Sequence, residues 1–226
     1  MPELDFGVEG VEAVPHCAAP TLAFKLRVTA AGPEDVRGVA LDCQIRIEAA
    51  RRRYGRAEQE RLRELFGDPP RWAHTVRSLL WTHAHVNVPS FSGGALVDLP
   101  VPCTYDFDVV AAKYLAALED GDVPLLLLFS GSVFYAAEDG VLRMARIPWS
   151  KETACALPVA TWRRLMDTYF PNSAWLRVGR DVYDRLLAYR SRVAALGWDD
   201  TIERLLAATP PEDRPANPAG PAGAST

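Results

Sequence analysis

The sequence predicts an α+β protein in which an antiparallel, immunoglobulin-like β-sandwich is followed by a C-terminal helical segment. Three observations lead to this fold class. Before residue 150, several stretches alternate apolar and polar residues with the period of a β-strand. After it, apolar residues recur at the three- and four-residue spacing of helices. Turns that contain glycine or proline separate the stretches. A single antiparallel sheet covered by helices on one face is the alternative.

The clearest strands lie in the first half of the chain. Residues 21–29 and 39–47 place large apolar side chains on one side and polar or charged ones on the other, as half-buried strands do. Residues 97–109 alternate in the same way, with Pro100 and Pro102 on the polar side. Because proline cannot donate to a sheet ladder, this stretch is predicted to be an edge strand.

Three further strands complete the predicted sandwich. Residues 75–88 form a strand between flanking prolines. Residues 123–135 are apolar on both sides, which predicts a central strand, and Gly121 and Gly140 bracket them with turns. Residues 141–149 are then expected to return as the hairpin partner of this strand.

Helices are predicted both within and after the strands. Residues 57–66 carry an apolar stripe that ends at Gly67, and residues 109–118 form a short crossing helix. Three more helical stripes follow in the C-terminal part, at 158–169, 181–196 and 199–206.

We therefore expect three regions along the chain. Residues 1–150 form a β-rich sandwich domain with a helical insertion near 57–66, and residues 151–208 form a helical segment packed on it. Residues 209–226 are rich in proline, alanine and glycine and contain no large apolar side chain. Such a segment cannot bury enough surface to offset its ordering entropy, so we expect a disordered tail.

The composition excludes several classes of protein. The 226 residues include 25 Lys and Arg against 29 Asp and Glu, a net charge of −4, which argues against a nucleic-acid partner. The first residues lack the apolar segment of a secretory signal, and the longest apolar run falls far short of the roughly 20 residues that a membrane helix needs. We therefore expect a cytoplasmic protein. No glycine-rich phosphate loop, nucleophile turn or CxxC pair is present, so no cofactor is expected.

Two histidines form the strongest candidate for a metal site. His83 and His85 lie two apart on a predicted strand, so both imidazoles face the same side and could bind one ion. A third ligand would have to come from elsewhere in the chain; the candidates are His16, Cys17, His74 and Asp98. Without that ligand, the pair is part of an ordinary sheet surface.

Arginines and tryptophans form the candidate surface for a partner. Arg51, Arg52 and Arg53 are the only basic block and suit an acidic partner, although a solvated junction between strand and loop explains them as well. Tryptophan is enriched at binding hot spots. Trp162, Trp175 and Trp198 in the helical segment are therefore candidates for docking, with core packing as the alternative.

Five short segments give the sequence a family resemblance: PTLAF at 20–24, PVPCTYDFD at 100–108, FSG at 129–131, IPW at 147–149 and FPNS at 170–173. Together they resemble an uncharacterised actinobacterial family, a domain of unknown function, over nearly the whole chain except the tail. The resemblance implies gene neighbours that encode nickel–iron hydrogenases. It therefore implies an accessory or assembly role with hydrogenase subunits or maturation factors as partners. It brings no catalytic motif.

The leading hypothesis is a non-catalytic accessory or assembly protein that acts through protein–protein contacts. The first alternative is a metal-binding protein or metal-dependent enzyme centred on His83 and His85. The second is a holdase-type chaperone that binds unfolded chains on aromatic surfaces.

Overall fold

A computed structural model describes residues 2–32, 35–104, 109–137, 139–173 and 177–208. The strands are β1 Glu3–Ala13, β2 Thr21–Ala31, β3 Asp35–Ile47, β4 Leu79–Val88, β5 Gly94–Pro102, β6 Asp122–Ala136, β7 Leu142–Arg146 and β8 Glu152–Pro158. The helices are α1 Arg56–Phe66, α2 Trp72–Thr75, α3 Val110–Ala117, α4 Val159–Tyr169, α5 Arg180–Arg192 and α6 Trp198–Ala207. The predicted tail at 209–226 lies outside these residues. None of the described helices is long and apolar enough to cross a membrane.

The strands form two antiparallel sheets. One has the order β1-β2-β5. The other has the order β4-β3-β6, and both β7 and β8 pair with the free side of β6, β8 along its first half and β7 along its second. The prediction of a mixed fold with antiparallel sheets is confirmed, and β6 is the central strand that its apolar sequence predicts.

The alternation in the sequence determines which side chains form the core. The apolar side of β2 is completely buried at Leu22, Phe24, Leu26 and Val28. Side chains of the two sheets meet between them: the ring of Phe6 on β1 stacks on Phe129 of β6 at 4.3 Å between centroids. One hydrophobic core therefore joins both sheets, as in a sandwich.

Proline explains where the smaller sheet ends. Among the described residues β5 pairs with β2 alone, so it is the edge strand that Pro100 and Pro102 predict. It stops at Pro102, earlier than the predicted end at residue 109. Residues 105–108 lie outside the described part of the chain, and α3 begins at Val110.

The chain divides into two compact units, Met1–Leu176 and Arg177–Thr226. The first contains both sheets and the helices α1 to α4, and the second contains α5 and α6. The segment 151–208, which the sequence predicts as helical, also contains β8. This strand pairs with β6 from Asp122 to Leu128 before α4 begins at Val159.

Candidate functional site

The two candidate metal ligands lie side by side on an exposed face of β4. The register places His83 opposite Gln44 of β3 and His85 opposite Asp42. The Nε2 atom of His83 is 3.1 Å from Nε2 of Gln44, and Nδ1 of His85 is 3.3 Å from Oδ1 of Asp42. Across the described ranges, no group of three or more His, Cys, Asp or Glu side chains is arranged to hold a metal ion. The metal site remains a prediction from spacing alone.

The three arginines of the basic block point in different directions. Arg51 and Arg53 are exposed, and Arg51 lies 3.6 Å from the Glu48 carboxylate. Arg52 points into the protein, with only 8% of its side chain exposed. Its guanidinium donates hydrogen bonds to the backbone carbonyls of Asp120 and Asp122 at 2.7 and 2.8 Å. These contacts are internal, so Arg52 positions the turn before β6.

The three candidate tryptophans are also separated. Trp162 lies on the inner face of α4 and is 3% exposed, as a member of the hydrophobic core. Trp198 packs in the second unit, 5.6 Å from the ring of Tyr183 and 5.1 Å from the Arg190 guanidinium. Trp175 lies outside the described residues.

An apolar surface that the sequence analysis did not single out lies on the β6–β7 hairpin. It consists of Phe134, Leu142, Met144 and Trp149, which we call the hairpin surface. Trp149, in the loop after β7, is 89% exposed, and Leu142 and Met144 are 62% and 57% exposed. Large apolar side chains that are exposed together are unusual on a monomeric protein and often form an interaction site.

The register of the hairpin explains why Phe134, Leu142 and Met144 share a face. Phe134 lies directly opposite Met144, and Leu142 is two residues away on the same strand. The intervening positions of β6, Val133 and Tyr135, face the core and are buried, and those of β7 opposite them are Ala145 and Arg143. The inner side of β6 is therefore covered within the first unit, whereas the outer face of the hairpin is exposed at Leu142 and Met144.

The backbone of β7 is paired on one side only, within the residues that the structure describes. The Ile147 N–H donates to the Gly131 carbonyl, and the Ala137 N–H donates to the Val141 carbonyl, both at 3.0 Å. These bonds set the phase of the ladder, in which alternate residues of β7 bond to β6. The backbone groups of the residues between them, Leu142, Met144 and Arg146, therefore point away from β6 to the open edge.

β7 carries two arginines, Arg143 and Arg146. Arg143 is paired with Asp139 at 2.8 Å. Arg146 is exposed on the same face as Met144, and no described residue forms an ion pair with it. The edge therefore offers a cation next to an apolar surface.

A glycine lies where β6 changes its pairing partner from β8 to β7. Gly131 lies between the part of β6 that pairs with β8 and the part that pairs with β7. It has a φ of 130°, and a Cβ atom at this position would lie 2.1 Å from the Ala40 carbonyl oxygen. A side chain cannot be accommodated there without moving β3, so the glycine is required for the hairpin to sit against the sheet.

Comparison with known proteins yields one family and two remote structural similarities. A model described as a family of unknown function, DUF6084, matches residues 1–214. No curated protein matches the sequence.

Two solved structures are similar at low level. A β-glucosidase from Kluyveromyces marxianus is 9% identical with a TM-score of 0.25; the match covers 69% of this chain and only 15% of that enzyme. The putative ApaA protein from Bordetella pertussis is 14% identical with a TM-score of 0.25, over 70% of this chain and 95% of that protein. Similarity at this level carries no argument about fold or activity.

Proposed function

The chain belongs to DUF6084, a family of unknown function, and from its geometry we propose that it is a non-catalytic accessory or assembly protein that acts through protein–protein contacts. The observation that supports this function is the hairpin surface. Phe134, Leu142 and Met144 lie on one face of the larger sheet beside the open edge of β7, and the exposed Trp149 lies in the loop that follows this strand.

The chemistry of the hairpin surface is that of a protein contact. Tryptophan, methionine and arginine are enriched at the centre of interfaces, where they bury large areas and exclude water. Trp149 and Met144 provide such area, and Arg146 provides a charge beside it. Since they are already exposed, a partner can bury them without first unfolding any part of the hairpin.

Two finer expectations accompany this proposal. The partner is expected to be a hydrogenase subunit or maturation factor, an expectation that comes from the resemblance of the sequence segments. The sandwich is expected to have immunoglobulin-like connectivity. Both stay predictions, and identification of the partner tests the first directly.

Cross-linking in the source cells tests the proposal. A photo-reactive amino acid is placed at position 142, 144 or 149 of the full chain, and at Leu96 as the matched control. Leu96 is 50% exposed on β5, in the other sheet. We expect one protein to be cross-linked from the three hairpin positions and not from position 96. We also expect the Met144→Asp variant to lose this protein in affinity purification.

Other outcomes of this experiment would contradict the proposal. Cross-links that form only within the chain, or equally from position 96, would show that the hairpin surface is not a partner site. Metal analysis of the same purified chain tests the alternative that His83 and His85 bind a metal ion. A content of less than about 0.1 metal ion per chain would exclude it. Suppression of the aggregation of unrelated unfolded proteins would favour the holdase alternative.

A further inference from the structure

We propose that the partner adds an extended segment as a new strand along the open edge of β7, with apolar side chains over Leu142 and Met144 and an acidic side chain beside Arg146. This inference rests on the proposed function, and it specifies how the hairpin surface recognises the partner.

The backbone of β7 provides the first argument. Leu142, Met144 and Arg146 each direct an N–H and a C=O to the open edge, because the residues between them form the ladder with β6. An exposed edge of this kind is a template for another strand, and addition of a peptide strand is a common mode of recognition. Main-chain hydrogen bonds then contribute affinity whatever the sequence of the added segment.

The side chains provide specificity for one face of the added strand. Those of Leu142, Met144 and Arg146 all point to the outer face, two residues apart. An added strand places its own side chains opposite them at the same period. Two apolar residues would therefore cover Leu142 and Met144, and the third position faces a guanidinium.

Charge determines the chemistry of that third position. Arg146 forms no ion pair within the described ranges, whereas the neighbouring Arg143 is already bound to Asp139. A glutamate or aspartate opposite Arg146 gains a favourable cross-strand pair, and a lysine there is repelled. The preferred segment thus has one acidic and two apolar residues, spaced two apart, on the face that covers β7.

The same reasoning disfavours a second copy of this chain as the occupant. Two β7 strands paired antiparallel about Met144 would place Arg146 of each chain opposite Leu142 of the other. The apolar side chains would then meet guanidinium groups, and no acidic side chain would pair with either arginine. A partner strand with an acidic residue pairs with Arg146 and is therefore favoured over a second copy of β7.

Short synthetic peptides test the charge rule on the full chain. One peptide is end-capped and fluorescently labelled, with threonine at every second position and glutamate, valine and valine at the positions between. The other peptide has lysine in place of the glutamate. We expect fluorescence anisotropy to show about fivefold tighter binding of the glutamate peptide, and the Arg146→Glu variant to reverse this preference. The absence of binding, or equal binding of both peptides by both proteins, would overturn the proposal.

A proline variant tests the role of the backbone. Because the Met144 N–H points away from β6, Met144→Pro removes an edge donor while the hairpin ladder is kept. The matched variant Met144→Ala shortens the side chain and keeps the N–H. We expect Met144→Pro to weaken peptide binding at least about fivefold relative to Met144→Ala, a loss of more than about 1 kcal/mol.

The two proposals fail in distinguishable ways. If Met144→Pro retains the cellular partner that Met144→Asp loses, the hairpin surface binds through side chains alone, so strand addition is wrong and the proposed function stands. If both variants retain the partner, the proposed function is wrong as well. Equal peptide binding by Met144→Pro and Met144→Ala would also overturn strand addition. Urea unfolding of each variant confirms that it is folded.

Discussion

The Arg52 guanidinium and the Glu58 carboxylate form an ion pair in the interior, with 2.7 Å between Nη2 and Oε1 and only 8% and 4% of the two side chains exposed. The same carboxylate accepts hydrogen bonds from the backbone N–H groups of Gly55 and Glu119. The pair therefore fastens the start of α1 to the turn that leads into β6. Gly121 in that turn has a φ of 70°, and its Cβ position is only 3.3 Å from the Arg52 guanidinium, so the arginine fills the space a side chain would need.

Removal of either partner of this ion pair should be strongly destabilising. Arg52→Ala leaves a buried carboxylate without its cation, and Glu58→Gln leaves a buried guanidinium without its anion. We expect each to lower the free energy of unfolding by about 3 kcal/mol or more, measured by urea denaturation. Arg51→Ala is the control in the same basic block: its ion pair with Glu48 is exposed on the arginine side, and we expect a loss of less than about 1 kcal/mol. Equal effects of the two arginine variants would contradict this assignment.

The stability that Glu58 contributes should depend on pH. Burial raises the pKa of the Glu58 carboxyl, but the N–H groups of Glu119 and Gly55 and the Arg52 guanidinium outweigh it, so the pKa is lowered overall. A carboxyl with a lowered pKa in the folded state stabilises the protein above its unfolded pKa, and this contribution is lost as pH falls through the folded pKa. We expect the difference between the wild type and Glu58→Gln to be large at pH 7 and to shrink toward pH 3. A difference that is constant with pH would show that the carboxylate is not charged in the folded state.

The sequence predicts those strands best whose large apolar residues alternate without interruption. β2 and β3 have such patterns, and their predicted sides are the buried ones. β1 was not predicted, because Gly7 and Gly10 interrupt its pattern and a register shift between Val8 and Gly10 breaks the period. β8 was missed because it consists mainly of small residues around Cys155 and Leu157. A strand with a weak sequence pattern forms because it pairs with a strand that is distant in the chain, and local patterns do not reveal that pairing.

The candidate site is less predictable because exposure depends on partners far along the chain. Nothing in three consecutive arginines shows that Arg52 alone points inward, since the carbonyls it binds belong to Asp120 and Asp122. β6 is apolar on both faces in the sequence, and its partner β7 carries Leu142 and Met144 on one of them. Which face is covered is decided by the other sheet, so the exposure of Met144 becomes visible only in three dimensions.

Gly131 offers a test of the close packing between β6 and β3. We expect Gly131→Ala to lower the free energy of unfolding by at least about 2 kcal/mol, because the new methyl group collides with the Ala40 carbonyl and the φ of 130° is strained for alanine. Gly7→Ala on β1 is the control, since no described atom beyond its two chain neighbours lies within 4 Å of its Cβ position. Urea unfolding of both variants measures the difference. A neutral Gly131→Ala would mean that β6 does not run this close to β3.

The four cysteines should differ in reactivity. Burial raises the pKa of Cys43, Cys103 and Cys155 to about 12, so these thiols carry almost no thiolate at neutral pH. Cys155 and Cys17 are both partly exposed, and Cys17 lies in the loop after β1. We expect an aromatic disulfide reagent to label one thiol quickly in the folded protein and all four in guanidinium chloride. Cys17→Ser should abolish the fast labelling; fast labelling that persists in this variant would mean that another thiol, such as Cys155, is accessible and its pKa is not raised.

Two tryptophans separate the stabilising role of this residue type from its binding role. Trp162 is 3% exposed in the core, so Trp162→Ala leaves a large cavity and should cost about 3–5 kcal/mol of unfolding free energy. Trp149 is 89% exposed, so Trp149→Ala should change that free energy by less than about 0.5 kcal/mol. If Trp149 belongs to a binding surface, its substitution should nevertheless weaken partner capture, whereas Leu96→Ala, at a half-exposed site on the other sheet, should not. Loss of stability without loss of binding in Trp149→Ala would instead make this residue part of the packing of the hairpin, and the hairpin surface would then lose its largest contact.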